Sequence, residues 1–245
     1  MSFWDHLEEL RGTIFRSLIA VVILSIAVFC LKRPVFSLVF APAGQDFFLY
    51  RWLGMTMEMD IINVDVTAQF MTHMKMAFSI GFILSIPYII YEIWRFIAPA
   101  LYENEKKAVN FASIWGGALF YLGIAVGYVI IVPLALNFFM NYSVSDAIRN
   151  TITLQSYISL FNSTLIAFGL VFEFPIVVVI LSALGIIDRA VMKKYRRYAI
   201  VAILIVAALV TPADPLSMCI AAVPLYLLYE VSVLFCAPAG KEDQE

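Results

Sequence analysis

The chain has 245 residues, of which 63% are hydrophobic and 14% are charged, and its mean hydropathy is +0.92. Soluble domains contain only about 45 to 50% apolar residues, so the composition excludes a soluble globular fold and indicates an integral membrane protein. The net charge of −2 argues against nucleic acid as a partner, because no basic surface is available to neutralise phosphates.

Apolar segments of membrane-spanning length predict an all-α integral membrane protein. The N-terminal segment "SFWDHLEELRG", residues 2–12, is amphipathic and is expected to lie on the cytoplasmic membrane surface before the first span. The whole chain, 1–245, is interpreted as a single transmembrane domain with a cytoplasmic tail at 237–245. Six spans are predicted near residues 13–31, 76–97, 108–132, 157–185, 198–211 and 216–235.

The distribution of positive charge predicts the orientation. The N-terminus, the second and fourth connections and the C-terminus carry eleven Lys and Arg residues, and the opposite side carries five. The positive-inside rule therefore places both termini in the cytoplasm. The fifth span has 14 residues, which rise about 21 Å against an apolar core of about 30 Å, so it is expected to be short for the membrane.

One carboxylate lies inside the fourth predicted span. Glu173 is the single charged residue in the 38-residue stretch between Arg149 and Asp188, and Pro175 is expected to kink the helix beside it. Two interpretations stay open: a functional polar site in a water-accessible hollow, or a protonated group that hydrogen-bonds within the bundle and fixes its packing. The helix face of Glu173 is small and polar, with Ser159, Asn162, Ser163 and Gly169.

Two further patterns within the spans have ordinary structural explanations. Gly123 and Gly127 form a small-xxx-small pair in the third span, which predicts close helix packing rather than a ligand site. Near the cytoplasmic end of the second span, Glu92 is expected to pair with Arg95 three residues later.

Acidic residues occur next to the membrane on the predicted cytoplasmic side, in the N-terminal segment and in the second connection. Glu103 has lysines three and four residues later, whereas Glu105 has no such partner and is the freer carboxylate. Carboxylates bind arginine bidentately in a way that lysine cannot copy, so this pattern favours an arginine-bearing peptide as ligand.

The sequence gives little support to an enzyme. It contains no Ser/His/Asp constellation, no H-E-x-x-H motif, no Gly-rich phosphate loop and no Cys/His cluster, so we expect neither a catalytic residue nor a cofactor or metal. The cysteines are interpreted as small apolar residues of their helices. The alternative function is an ion-coupled small-solute carrier with Glu173 as its coupling site.

Six motifs extend over nearly the whole chain in one order: "HLEELR" at 6–11, "APA" at 41–43, "FIAPALYENEKK" at 96–107, "LFYLG" at 119–123, "AFGLVFEFP" at 167–175 and "TPADP" at 211–215. With these motifs the chain closely resembles the TatC family, the multispanning core subunit of the twin-arginine protein translocase. The resemblance implies a concave bundle of six helices, the fifth and sixth short, in the cytoplasmic (inner) membrane of the cell.

The resemblance also implies a function. A TatC protein binds the twin-arginine signal peptides of folded precursors and acts as the core scaffold of a complex that exports them using the proton-motive force. Its partners are single-span subunits of the TatA and TatB type, further copies in a larger complex, and the lipid bilayer.

The motifs assign expected roles to individual residues. The signal-peptide site implied by the resemblance comprises Glu9, Leu10, Arg11, Phe96, Pro99 and Glu105. Glu173 is the implied intramembrane polar site, and Met218 stands where relatives carry a glutamine that contributes to a polar patch for the partner subunits. Partner docking or structural roles are implied for Pro42, Tyr121, Thr211, Asp214 and Glu230.

Overall fold

The computed structural model describes residues 3–55, 57, 59–97, 106–145, 150–183, 185–211 and 215–236. Within these ranges the protein is mostly helical, with a 3₁₀ turn at Ala41–Ala43, a π-helical turn at Gly127–Ile131 and two short strands, β1 (Ile61–Ile62) and β2 (Ile152–Thr153). The α-helices are α1 (Phe3–Cys30), α2 (Lys32–Phe40), α3 (Phe48–Leu53), α4 (Ala68–Ile97), α5 (Lys106–Val126), α6 (Val132–Asn141), α7 (Leu154–Phe172), α8 (Phe174–Ala183), α9 (Arg189–Lys194), α10 (Arg196–Val210) and α11 (Pro215–Phe235).

Among the described residues, five helical segments are long and apolar enough to cross a membrane, which confirms the multi-pass membrane protein expected from the composition. The third consists of α5, the π-helical turn and α6, and the fourth consists of α7 and α8. The segment predicted as the fifth span is α10, whose 15 residues rise about 22 Å. The five spanning segments are Leu7–Cys30, Ala68–Phe96, Trp115–Asn141, Leu154–Ser182 and Ser217–Phe235.

The N-terminal segment differs from the sequence-based expectation. It is helical, but it is the first part of the continuous helix α1 rather than a short helix of its own. No glycine or proline interrupts the helix between residues 13 and 30, so the backbone continues from the amphipathic segment into the span. Similarly, α4 begins at residue 68 rather than 76, because polar residues such as Gln69 and Lys75 lower the hydropathy without breaking the helix.

Helices α1 and α4 pack against each other in antiparallel orientation. Along α1, Arg16 contacts Glu92, Ser25 lies against Gly81, and Phe29 stacks on His73 with ring centroids 4.2 Å apart. A Cβ at Gly81 would lie 2.6 Å from the backbone of Ser25, so the two helices cross at nearly backbone contact there. The start of α1 and the end of α4 therefore lie together, and we call this region the N-terminal end of the bundle.

Small residues also bring the third and fourth spans together. A Cβ at Gly123 would lie 2.5 Å from the carbonyl oxygen of Phe168, and one at Gly127 would lie 3.4 Å from the Phe168 side chain. Gly169 in turn accommodates the ring of Phe120, which is completely buried. The close packing predicted from the Gly123 and Gly127 spacing is therefore confirmed.

The opposite end of the bundle is closed by a cap, which consists of α2, the turn Ala41–Ala43 and α3. Three tyrosine hydroxyls donate to backbone carbonyls of this cap: Tyr128 to Leu38 at 2.8 Å, Tyr157 to Val39 at 2.6 Å, and Tyr50 to Pro42 at 2.9 Å. The parallel pairing of β1 with β2 joins the two connections at the same end. The first connection, at about 40 residues, is long enough to form short helices of its own.

Tyr50 should be the most important of these hydroxyls for stability. Its side chain is completely buried, its hydroxyl also lies 3.2 Å from the carbonyl oxygen of Pro133, and burial raises its pKa above the usual range, so it remains a donor. Tyr50→Phe should lower the free energy of unfolding by about 1 to 2 kcal/mol, because buried carbonyls lose their partner. Thermal unfolding in detergent measures this, with exposed Tyr142→Phe as the control; equal shifts for the two variants would contradict it.

Candidate functional site

One face of α1 at the N-terminal end carries Glu9, Gly12, Thr13 and Arg16, which are separated by 3, 1 and 3 residues and so lie in line. Thr13 is buried, and Glu9 and Arg16 are half-buried. The Arg16 Nε donates to Glu92 Oε2 at 2.7 Å, so this face is directed towards α4. Glu9 therefore lies on the side of α1 that faces the end of α4.

The ion pair between Arg16 and Glu92 corrects the pairing expected from the sequence. Glu92 was expected to bind Arg95 on its own helix, but the salt bridge that the structure shows joins it to Arg16 of α1. The Glu92 side chain is 2% exposed, so its charge depends on partners within the bundle. A buried carboxylate needs a partner of opposite charge. Arg16 provides it from the packed neighbouring helix, whereas Arg95 is exposed.

The other described residues of the expected peptide site lie near this face. Leu10 is 37% exposed, and the exposed Arg11 places its guanidinium 5.8 Å from the ring centre of Phe15. Phe96 is half-buried, and the register that pairs Arg16 with Glu92 places it level with Gly12. The structure thus brings Glu9, Leu10 and Arg11 to the same end of the bundle as Phe96, whereas Pro99 and Glu105 lie outside the described residues.

Glu173 lies where the fourth span is interrupted. Helix α7 ends at Phe172 and α8 begins at Phe174, and the N–H of Glu173 donates to the carbonyl of Leu170 three residues back, at 3.1 Å. Pro175 cannot donate to the helix, which explains the expected kink at this position. The break turns the carboxylate towards the third span, where a Cβ at Gly116 would lie 3.1 Å from Oε2. Among the described residues, buried Oε1 has no hydrogen-bond partner.

The polar face expected around Glu173 is only partly formed. Ser159 and Ser163 are exposed and Asn162 is half-buried, whereas Gly169 is buried against Phe120. The helical spacing that places these residues in line continues only to the break at Glu173. Within the described part of the chain, Glu173 is therefore placed against Gly116 rather than within a continuous polar stripe.

The residues expected in partner docking or structural roles make contacts between or within helices. Pro42 is buried and its carbonyl accepts from the Tyr50 hydroxyl, and the Tyr121 hydroxyl donates to the carbonyl of Leu84 at 3.3 Å. Thr211 is buried, and its Oγ1 donates to the carbonyl of Ala207 at 2.7 Å. Asp214 lies outside the described residues.

Glu230 forms an interhelical salt bridge that sequence spacing did not predict. Arg196 Nη2 of α10 donates to Glu230 Oε2 of α11 at 2.7 Å. This pair and the pair of Arg16 with Glu92 each join two helices. The sequence signal for such a pair was an ionisable residue inside an apolar segment, since such a residue requires a partner.

Met218 has an apolar environment that differs from a polar docking patch. Its half-buried side chain packs against a cluster that includes Ala207, Ala221 and Leu225 of α10 and α11. A thioether fits this cluster without an unsatisfied polar group, whereas a glutamine amide would need hydrogen-bond partners.

No candidate metal centre occurs in the described ranges, where no three His, Cys, Asp or Glu residues are close enough to hold an ion. Cys30 and Cys219 are exposed and Cys236 is buried, and all three are free thiols.

Comparison with known proteins agrees with this arrangement. A family model described as "Sec-independent protein translocase protein (TatC)" matches residues 5–224. The TatC protein of Blattabacterium sp. subsp. Periplaneta americana (strain BPLAN) is 35% identical over 249 residues, which cover 95% of this chain and 94% of that protein. The TatC protein of Escherichia coli (strain K12) is 35% identical over 232 residues, which cover 94% of this chain and 86% of that protein.

A solved structure matches equally well. The crystal structure of the twin arginine translocase receptor TatC in DDM superposes with a TM-score of 0.77 at 32% identity and covers 95% of this chain and 99% of that chain. These matches are to subunits of a protein translocase, so they favour neither an enzyme nor the ion-coupled carrier. The matched length, the sequence identity and the shared fold lead to one conclusion: the chain belongs to the TatC family.

Proposed function

We propose that this chain is the receptor for twin-arginine signal peptides and the core scaffold of a translocase that exports folded proteins, driven by the proton-motive force. The observation that best supports the proposal is the match, over 95% of the chain, to a solved structure named as the twin arginine translocase receptor. The half-buried Glu9 on the α1 face that packs on α4 supplies a carboxylate of the required chemistry.

The proposed topology is a single domain of six spans, with α10 as a short fifth span and both termini in the cytoplasm of a cell with an inner membrane. Helix α10 supports this count because its buried Ala207 packs with Ala221 and Leu225 of the spanning helix α11. A helix that rises only about 22 Å would thin the bilayer locally. The eleven-to-five distribution of Lys and Arg supports the orientation. A concave bundle follows from the family resemblance.

In the proposed peptide site, the carboxylates of Glu9 and Glu105 bind the two guanidinium groups of the signal peptide. Arginine presents a planar array of N–H donors that matches a carboxylate, whereas a lysine ammonium is a point charge. Leu10 and Phe96 provide apolar surface near Glu9 for the hydrophobic part of the peptide, and Pro99 is proposed as a further residue of the same site.

The partner subunits are proposed to be single-span proteins of the TatA and TatB type, bound within a complex that contains several copies of this chain. Glu173 is the proposed intramembrane polar contact for a partner helix or for the inserted signal peptide. Thr211, Asp214 and Glu230 are proposed to support docking at the last two spans, and Pro42 and Tyr121 to stabilise the bundle that presents these surfaces.

The test of the receptor function is direct binding of a synthetic Arg-Arg signal peptide to the full-length protein in detergent. We expect Arg-Arg to bind at least about tenfold more tightly than a Lys-Lys version, a difference of about 1.4 kcal/mol. Glu9→Gln and Glu105→Gln should each remove this preference, because an amide lacks the charge that pairs with guanidinium.

The control for that experiment is Glu230→Gln, which removes a carboxylate that binds Arg196 elsewhere in the bundle. It should keep the Arg-Arg preference. Equal binding of the two peptides by the wild-type protein would refute the receptor function, and a preference that survives in Glu9→Gln would remove Glu9 from the site.

A further inference from the structure

Arg16 is an arginine of the chain itself that lies close to the proposed peptide acid. Its Nη2 is 3.4 Å from Thr13 Oγ1, and a Cβ at Gly12 would lie 3.1 Å from its Nη1. The side chain thus extends back along α1 towards the N-terminus, as long side chains on helices do. The guanidinium lies at the level of residues 12 and 13, which are the helical neighbours of Glu9 at three and four positions.

Glu92 holds this guanidinium in its place. The Arg16 Nε binds Glu92 Oε2 at 2.7 Å, and the Glu92 side chain is 2% exposed, so its carboxylate is fixed in the packed interface between α1 and α4. The Arg16 side chain is 42% exposed, which leaves it room to move once it is released. The described residues show an ion pair of Arg16 with Glu92 and none with Glu9.

From these contacts we propose that Glu92 is a positioning residue that withholds Arg16 from Glu9, and so leaves Glu9 available to an arginine of the incoming peptide. The inference rests on the proposed function, because it concerns the same acid. A peptide arginine and Arg16 present the same guanidinium to Glu9. The Arg16 guanidinium, about one helical turn from Glu9, would compete at a high effective concentration, so a receptor for arginine must keep its own nearby arginine bound to another group.

Gly12 has a part in the same arrangement. With no side chain at position 12, the guanidinium can lie flat against α1 and still reach Glu92 on the neighbouring helix. An alanine there would lie 3.1 Å from Nη1 and would push the group away from the helix.

A simpler role for the ion pair is to clamp α1 to α4, and the two roles predict different behaviour of a double variant. Replacing both members of a buried ion pair with apolar residues is often neutral or stabilising, whereas removing one member leaves the other charge without its partner. Arg16→Leu with Glu92→Leu removes the clamp and the competing arginine together. Glu92→Leu alone removes the clamp and releases the arginine.

The experiment compares binding of the Arg-Arg peptide to the wild-type protein, to Glu92→Leu and to the double variant, with the thermal unfolding midpoint as the measure of folding. We expect Glu92→Leu to weaken binding about fivefold, the factor that an ion pair of about 1 kcal/mol between Glu9 and Arg16 would produce. The double variant should return to within about twofold of the wild type, because it contains no competing arginine.

Three outcomes would overturn the inference. Wild-type affinity in Glu92→Leu means that Arg16 does not compete, and weak binding by the double variant means that the pair acts as a clamp. Absence of any Arg-Arg preference in the wild-type protein would remove the proposed function, and this inference with it. If Glu92→Leu does not fold, Glu92→Gln is compared with Arg16→Leu plus Glu92→Gln, under the same expectations.

Discussion

Alanine at Gly123 should destabilise the folded protein by about 3 kcal/mol or more, the upper range for an overpacked interior. The new Cβ would lie 2.5 Å from the carbonyl oxygen of Phe168 and 2.8 Å from the Cβ of Phe172. The nearest atom belongs to the backbone, so a change of rotamer cannot relieve the contact and the helices must separate. Alanine gains about 1 kcal/mol of helix propensity over glycine, which does not offset this cost.

Thermal unfolding in detergent measures the effect of Gly123→Ala. Gly44→Ala is the matched control, because Gly44 has an extended backbone with φ of −84° and its new Cβ would meet only the carbonyl oxygen of Ala41, at 3.4 Å. The control should change the midpoint by less than about 1 °C, in keeping with a surface change. An equal midpoint for both variants would show that the third and fourth spans are not held at the separation described.

The sequence predicted the close approach at Gly123 because the signal is local. Two glycines four residues apart lie on one helix face, and a face without side chains admits a neighbouring backbone. The neighbour itself was not predictable, since nothing in the spacing identifies Phe168 and Phe172 as the residues in contact. The five confirmed spans were predictable because an apolar segment of spanning length is also a local signal. Their bounds were less predictable, because polar residues at a helix end lower the hydropathy without ending the helix.

The ion pairs show where sequence analysis reaches its limit. Spacing alone favours partners three or four residues away, which led to Arg95 as the partner of Glu92. The pair with Arg16 depends on how far α4 is shifted along α1, and that register is set by the contact of Gly81 with Ser25 further along the interface. Hydropathy contains no information on this shift or on which residues meet at the interface. The family motifs, by contrast, assign the proposed peptide acids without any knowledge of this register.

Glu173→Leu should reduce export of a folded precursor at least about tenfold, while binding of the Arg-Arg peptide stays at the wild-type level. Glu173 lies at the break between α7 and α8, whereas Glu9 of the proposed peptide site lies at the N-terminal end of the bundle. A polar group inside a span is costly and is kept where it faces a cavity or a polar partner, so an apolar replacement removes that interaction. Glu173→Gln keeps the hydrogen-bonding capacity and should retain part of the export.

The measurement is export of a folded reporter with an Arg-Arg signal peptide, in cells that contain each variant as their only TatC protein together with its partner subunits. Ser163→Ala is the control, because Ser163 lies ten residues earlier on the expected polar face and its exposed hydroxyl donates to the carbonyl of Leu160 on its own helix. It should export at the wild-type level. Full export in both Glu173 variants would instead establish the carboxyl group as a packing element, held against Gly116 for the stability of the bundle.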